Sequence, residues 1–188
     1  MKRLATDLPG VWILEPRIFE DSRGHFFEAF NARTLAALGL DRRFVQDNES
    51  FSRRGVLRGL HYQLGRPQAK LVRAVRGEVF DVAVDVRRGS PTFGRWTGTV
   101  LSEDNRRQVF IPEGFAHGFY VLSPTAVVLY KCSDFYAPEE ERGIAWNDPK
   151  IAIAWPIPPD APPSLSARDA AFPALAGVRP EDLPSYSG

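Results

Sequence analysis

Gly77-Glu78-Val79-Phe80-Asp81-Val82-Ala83-Val84-Asp85-Val86 alternates with a period of two. In an extended chain Phe80, Val82, Val84 and Val86 fall on one face, and Asp81, Ala83 and Asp85 on the other. The stretch predicts a strand with its valine face on the core and its aspartate face polar. Gly77 is a turn, and Ala69–Arg76 before it forms a second strand. Working outward, strands are predicted at Val11–Glu15, Phe44–Asn48, Gly55–Gln63, Arg95–Ser102, Val109–Ile111, Phe115–Leu122 and Ala126–Cys132. Phe19–Glu28 reads as a hairpin turning at Gly24. Asn31–Gly39 is the one clear helix, with Asn31 as N-cap, Leu35 and Leu38 on one face and Gly39 as stop. Many short strands with a single helix specify an all-β sandwich or barrel.

Beyond Ile151 the chain carries Pro156, Pro158, Pro159, Pro162, Pro163, Pro173, Pro180 and Pro184, which rules out central strands. Composition alone fits a disordered tail. Trp155, Leu165, Phe172 and Leu175 instead offer anchors for an ordered wrap on the sheet, and Ser166–Ala171 a capped helical turn that fixes Asp169.

The 188 residues, 44% of them hydrophobic, suffice for one core, so a single domain over 1–188 is expected. Lys and Arg number 24 against 23 Asp and Glu, and a net charge of +1 gives no basic field for nucleic acid. Cys132 is the single cysteine, and Met1–Pro9 has no apolar signal core, which points to a cytoplasmic setting. Apolar runs such as Ala126–Tyr130 are too short to cross a membrane.

Chemistry concentrates in Gly55-Val-Leu-Arg-Gly-Leu-His-Tyr-Gln63. His61 exchanges protons near neutrality and Arg58 grips anions, though a histidine in a core strand is ordinarily a hydrogen-bonded structural residue. Regular pleating puts the two on opposite faces, so joint action at one site requires a bulge at Gly59. Lys70 shares its face with Val72 and Ala74; it is either an edge lysine or a partly desolvated ammonium suited to a developing oxyanion. Tyr130, after Val127-Val128-Leu129, is a core aromatic or a phenol held for a partner. The three histidines, His25, His61 and His117, lack ligand spacing, so no metal is expected.

Ile111-Pro-Glu-Gly-Phe-Ala-His117 resembles the second motif of the cupin superfamily, while the first motif, with two histidines one residue apart, is missing. The resemblance implies a cupin-type jelly-roll sandwich or barrel whose cavity does metal-free chemistry. Gly55–Gln63, Ala69–Arg73, Gly77–Arg87, Gly89–Gly94, Ile111–Phe119 and Glu141–Pro149, taken in order, resemble the dTDP-4-dehydrorhamnose 3,5-epimerase family over nearly the whole chain.

By position, the resemblance makes His61 the base, Asp169 its carboxylate partner, Lys70 the donor to O4 and Tyr130 the acid on the opposite face. It implies Arg58 and Arg23 for a diphosphate and Gln46, Asn48 and Glu28 for thymine and deoxyribose. Phe19 and Tyr136 would stack, and His117 and Arg168 would contact substrate, although relatives commonly carry lysine where Arg168 stands. It further implies dTDP-4-keto-6-deoxyglucose as substrate, no cofactor, and a homodimer with exchanged N-terminal strands that bring the Arg23 hairpin to the neighbour's site. The residues leave two alternatives open. One is a sugar-nucleotide-binding module without turnover. The other is a C3-only or C5-only epimerase, or a ketoisomerase, acting on the same 4-keto sugar.

Overall fold

The computed structural model describes residues 1–186. In chain order its first strands are β1 (Lys2–Ala5), β2 (Trp12–Glu15), β3 (Ile18–Asp21), β4 (Gly24–Phe27), β5 (Gln46–Arg53), β6 (Leu57–Gln63) and β7 (Lys70–Arg76). There follow β8 (Glu78–Asp85), β9 (Trp96–Ser102), β10 (Gln108–Ile111), β11 (Phe115–Val121), β12 (Thr125–Cys132) and β13 (Glu141–Gly143). Antiparallel pairing gives a six-stranded sheet, β1-β2-β10-β7-β12-β5, and a five-stranded sheet, β13-β6-β11-β8-β9. They pack as a cupin-type β-sandwich, with β3 and β4 forming a separate hairpin.

Three apolar layers hold it together. Val72, Ala74, Val109, Ala126 and Val128 of the larger sheet meet Val79, Ala83, Phe119 and Val121 of the smaller one between the sheets. Outside the larger sheet, Leu14, Leu71 and Phe110 pack on Leu35 and Leu40. Leu35 belongs to α1 (Ala32–Ala37), which Asn31 caps by accepting from the backbone of Arg33 and Thr34. Gly39, at φ +76°, ends the helix as expected, but the buried partner of Leu35 is Leu40 rather than Leu38, because the left-handed turn swings the chain back onto the sheet.

The third layer takes the valine face of β8 into a core, as the alternation predicted. Val82, Val84 and Val86 do not face the opposite sheet; they lie under the tail, packed with Ile144, Ile151, Leu175 and Leu183. Asp81, Ala83 and Asp85 are the residues that point between the sheets, and both aspartates are buried. Asp85 accepts from Arg87, Ser90 and Thr92, which together hold it below its ordinary pKa although burial opposes the charge. The proline-rich tail is an ordered wrap: Trp155 meets Phe80 edge-on, and the buried Asp148 accepts the backbone N–H groups of Lys150, Ile151 and Leu175. Two short strands escaped prediction, the exposed edge strand β1 and β13.

Candidate active site

At one end the space between the sheets stays open as a cavity of about 770 Å³. Its walls come from different sheets. His61, Arg58 and His117 project from β6 and β11, while Gln46, Asn48, Lys70, Tyr130 and Cys132 project from β5, β7 and β12. Leu165, Ser166, Arg168 and Asp169 of the tail form a third wall, beside Tyr136 and Glu141.

Arg58 and His61 share the cavity because β6 does bulge. His117 pairs with His61 and Phe119 with Arg58, so Gly59 and Leu60 together oppose the single residue Gly118. The extra residue reverses the pleat and brings positions 58 and 61 to the same side. Gly59 has φ +122°, and a Cβ there would stand 2.6 Å from the Gly118 Cα and 2.8 Å from the His117 carbonyl oxygen. The two strands cross backbone to backbone, which only glycine allows. Arg58 is then steadied by donating from Nε to Ser52 Oγ at 3.0 Å and from Nη2 to the Phe51 carbonyl at 3.3 Å.

His61 Nε2 lies 2.9 Å from Asp169 Oδ1. An ionised carboxylate only accepts, so Nε2 carries the proton and Nδ1 presents its lone pair. Asp169 arrives on α2 (Ala167–Ala170), capped by Ser166 Oγ, which accepts from the Asp169 N–H at 3.0 Å. Burial works against its charge. The bond from His61 and the N–H of Gly59, 3.3 Å from Oδ2, prevail and hold the carboxyl below its usual range. Phe172 sets its ring edge-on to the imidazole at 5.5 Å between centroids.

Across the cavity, desolvation pushes Lys70 below its ordinary pKa, against the pull of Cys132, Glu141 and Asp81. Burial chiefly raises Tyr130, keeping the phenol protonated. His117 sits deeper, its Nε2 2.8 Å from Asp81 Oδ2. Gln46 donates to Asn48 Oδ1 at 2.9 Å and accepts from the Tyr136 N–H at 2.8 Å.

Ten of the thirteen residues singled out in the sequence therefore surround one cavity. Phe19, Arg23 and Glu28 do not reach it in their own chain. Phe19 and Arg23 lie on the exposed hairpin, where Arg23 pairs with Asp21 at 2.6 Å, and Glu28 accepts from Asn31 and Thr34 at the start of α1. Arg168 is engaged by a residue to which sequence reasoning gave no role. Glu141 takes both Arg168 guanidinium nitrogens, at 2.5 and 2.9 Å, and the Tyr136 hydroxyl at 2.6 Å. Its Oε1 stands 3.9 Å from His61 Nδ1. The only sequence signal was an acid opening the Glu141-Arg-Gly-Ile-Ala-Trp stretch.

Comparison with known proteins points to one family. The dTDP-4-dehydrorhamnose 3,5-epimerase family model matches residues 5–177. The dTDP-4-dehydrorhamnose 3,5-epimerase of Pseudomonas aeruginosa is 59% identical over 170 residues, covering 90% of this chain and 93% of its own length. Among solved structures, the dTDP-6-deoxy-D-glucose-3,5-epimerase of Legionella pneumophila in complex with dTDP-4-keto-L-rhamnose superposes with a TM-score of 0.96 at 51% identity, covering 100% of this chain and 99% of that one. A 3'-monoepimerase from Streptomyces bikiniensis in complex with dTDP-quinovose gives a TM-score of 0.89 at 40% identity, covering 99% and 93%. Among the described residues no helix is long and apolar enough to cross a membrane. The chain is an isomerase and belongs to the dTDP-4-dehydrorhamnose 3,5-epimerase family.

Proposed function

We propose that the chain converts dTDP-4-dehydro-6-deoxyglucose into dTDP-4-dehydro-L-rhamnose by inverting C3 and C5, in the biosynthesis of dTDP-L-rhamnose. One observation carries the reading: His61 stands on one sheet and Lys70 and Tyr130 on the other, with the cavity between them. A sugar lying there offers one face to a base and the other to an acid.

The 4-keto group acidifies the hydrogens on C3 and C5. His61 takes one of them at Nδ1 while Asp169 stabilises the resulting imidazolium through Nε2–H. The electrons move into an enolate with its charge on O4, which Lys70 faces with a preorganised ammonium, an arrangement typically worth about 3 to 4 kcal/mol. Tyr130 returns a proton from the opposite face, completing the inversion; once solvent has taken the proton from His61 and reprotonated Tyr130, the same steps serve the second carbon. No metal or cofactor takes part in this scheme. Arg58 holds the diphosphate, and Gln46, Asn48 and Tyr136 the nucleoside, with His117 and Arg168 contributing sugar or phosphate contacts.

Phe19, Arg23 and Glu28 lie outside their own cavity, which supports a homodimer in which each chain lends its hairpin to the site of a second copy. The reading makes residues 1–188 one domain, working in the cytoplasm, with substrate and a second copy as partners and neither nucleic acid nor membrane involved.

Incubation with dTDP-4-keto-6-deoxyglucose in deuterated water, followed by NMR, tests the chemistry. Deuterium and inversion at both C3 and C5 are expected. Label at one centre alone makes the chain a monoepimerase, isomerised ketone a ketoisomerase, and no exchange a binding module. The shared site is tested by mixing Arg23→Ala and His61→Asn chains, each expected to be nearly inactive alone: hybrid dimers should regain activity because one of their two sites is wild type throughout. Mixtures that stay inactive after subunit exchange contradict the lent hairpin.

A further inference from the structure

His61 Nδ1, the nitrogen that the proposed reaction uses as base, has a carboxylate beside it. Glu141 opens β13, whose Gly143 is the register partner of His61, and its Oε1 stands 3.9 Å from Nδ1. The Glu141 side chain is only 10% exposed, so water screens its charge little. Other charged and titratable groups surround the imidazole. Asp169 comes from α2, Arg58 from the same strand, His117 and Asp81 from β11 and β8, Lys70 and Tyr130 from the facing sheet, and Tyr136 from the loop after β12. Among the described residues, only Glu141 comes within ion-pair distance of Nδ1.

That placement sets up a conflict. A carboxylate beside an imidazole favours the protonated form, and Asp169 already supplies one at Nε2. A second carboxylate at Nδ1, left uncompensated, would hold a proton there, and His61 would meet the sugar as an imidazolium with no lone pair to use. Two neighbours compensate it. Arg168 donates from both guanidinium nitrogens to Glu141, at 2.5 and 2.9 Å, and the Tyr136 hydroxyl donates to the same carboxylate at 2.6 Å. The fork sets a positive charge against the negative one, and the three bonds hold the carboxylate outside hydrogen-bond reach of Nδ1.

We propose that Arg168 is a positioning residue that, with Tyr136, neutralises and holds Glu141 so that Nδ1 of His61 stays unprotonated and free to take the substrate's hydrogen. The inference rests on the proposed function, since that reading makes Nδ1 the base. The pairing acts before substrate arrives, so the free protein shows it.

The test follows the His61 ring protons by NMR titration of the free full chain, their signals assigned by loss in His61→Asn. It also follows the acid limb of the pH–rate profile for deuterium exchange at saturating dTDP-4-keto-6-deoxyglucose. In Arg168→Leu both midpoints should rise by about 1 to 3 pH units, the range an opposite charge at this distance produces. Arg168→Lys keeps the charge and should hold both midpoints near their wild-type positions. Adding Glu141→Gln to Arg168→Leu should bring them back. A lost substrate contact or looser packing would lower the rate without moving either midpoint. Midpoints unchanged in Arg168→Leu, or still raised once Glu141→Gln is added, overturn the assignment. If Arg168→Leu shifts the ring titration while the wild-type protein exchanges no deuterium, the pairing stands and the functional reading beneath it falls.

Discussion

Two histidine–aspartate pairs sit side by side across β6 and β11, where His61 and His117 are register partners. Their bond lengths differ little, 2.9 Å for His61–Asp169 and 2.8 Å for His117–Asp81. Their settings differ greatly. His61 keeps 23% of its side chain exposed and receives its carboxylate from a short helix in the tail, whereas His117 keeps 8% and receives its carboxylate from the central strand β8. Among the described residues Asp81 has one buried oxygen with no partner, whereas both Asp169 oxygens are used. The same two residue types thus make an open, fully satisfied pair suited to moving protons and an enclosed pair suited to holding an imidazole still.

The strongest way to break this contrast is to exchange the roles. His61→Asn should lower deuterium exchange at C3 and C5 by about 10² to 10⁴, the range lost with a general base. His117→Asn should leave exchange detectable and act mainly on KM. Exchange that survives intact in His61→Asn transfers the base to another residue.

The carboxylates sharpen the contrast further. Asp169→Asn keeps a hydrogen bond but no longer demands the proton on Nε2, so exchange should fall by about 10²-fold, with a smaller loss of urea stability than Asp81→Asn. Asp81→Asn alters a pair sealed in the sandwich and should cost about 1 to 3 kcal/mol in urea unfolding, with a smaller loss of rate. The opposite pattern would mean that the enclosed pair is the reactive one.

Much of this was legible because it is local. The alternation of Glu78–Val86, the cap at Asn31 and the cap at Ser166 are each settled within a few residues. What was not legible depends on distant chain. Period two separates the faces of β8 but cannot say what residues some sixty to a hundred positions later will cover, so the aspartate face, read as polar, proves to be buried as well. β1 buries none of its side chains and lies at the edge of its sheet beside β2, so no hydrophobic signal marks it. Glu141 gains its meaning from Tyr136, Arg168 and His61, three residues that only the folded chain brings together. The cavity itself is a place where packing stops, and patterns of burial report where packing succeeds.

Lys70 gives a smaller effect, read as a shift. Its ammonium is the donor to O4 in the proposed reaction, and desolvation lowers its pKa from 10.5. Activity should therefore decline on the alkaline side below pH 10.5, while Tyr130, raised from 10.0 by burial, still holds its proton. A pH–rate profile of exchange that stays level up to pH 10.5 would detach Lys70 from the chemistry.

The smallest effect concerns stability in acid, and it returns to Asp169. Its carboxyl pKa is lowered from 3.8 in the folded chain, so the folded state binds the proton less readily than the unfolded one. Its contribution is then complete above pH 3.8 and lost as pH falls through the lower, folded value. Asp169→Asn has no such contribution to lose. The difference in melting temperature between wild type and Asp169→Asn should hold steady from about pH 6 to pH 5 and shrink from about pH 4 toward pH 2. A difference that instead widened with acid would mean the carboxyl is favoured in its protonated form in the fold. His61 would then be bonded to an acid rather than to a carboxylate, the proton on Nε2 would no longer be required, and Nδ1 would lose its claim to be the base.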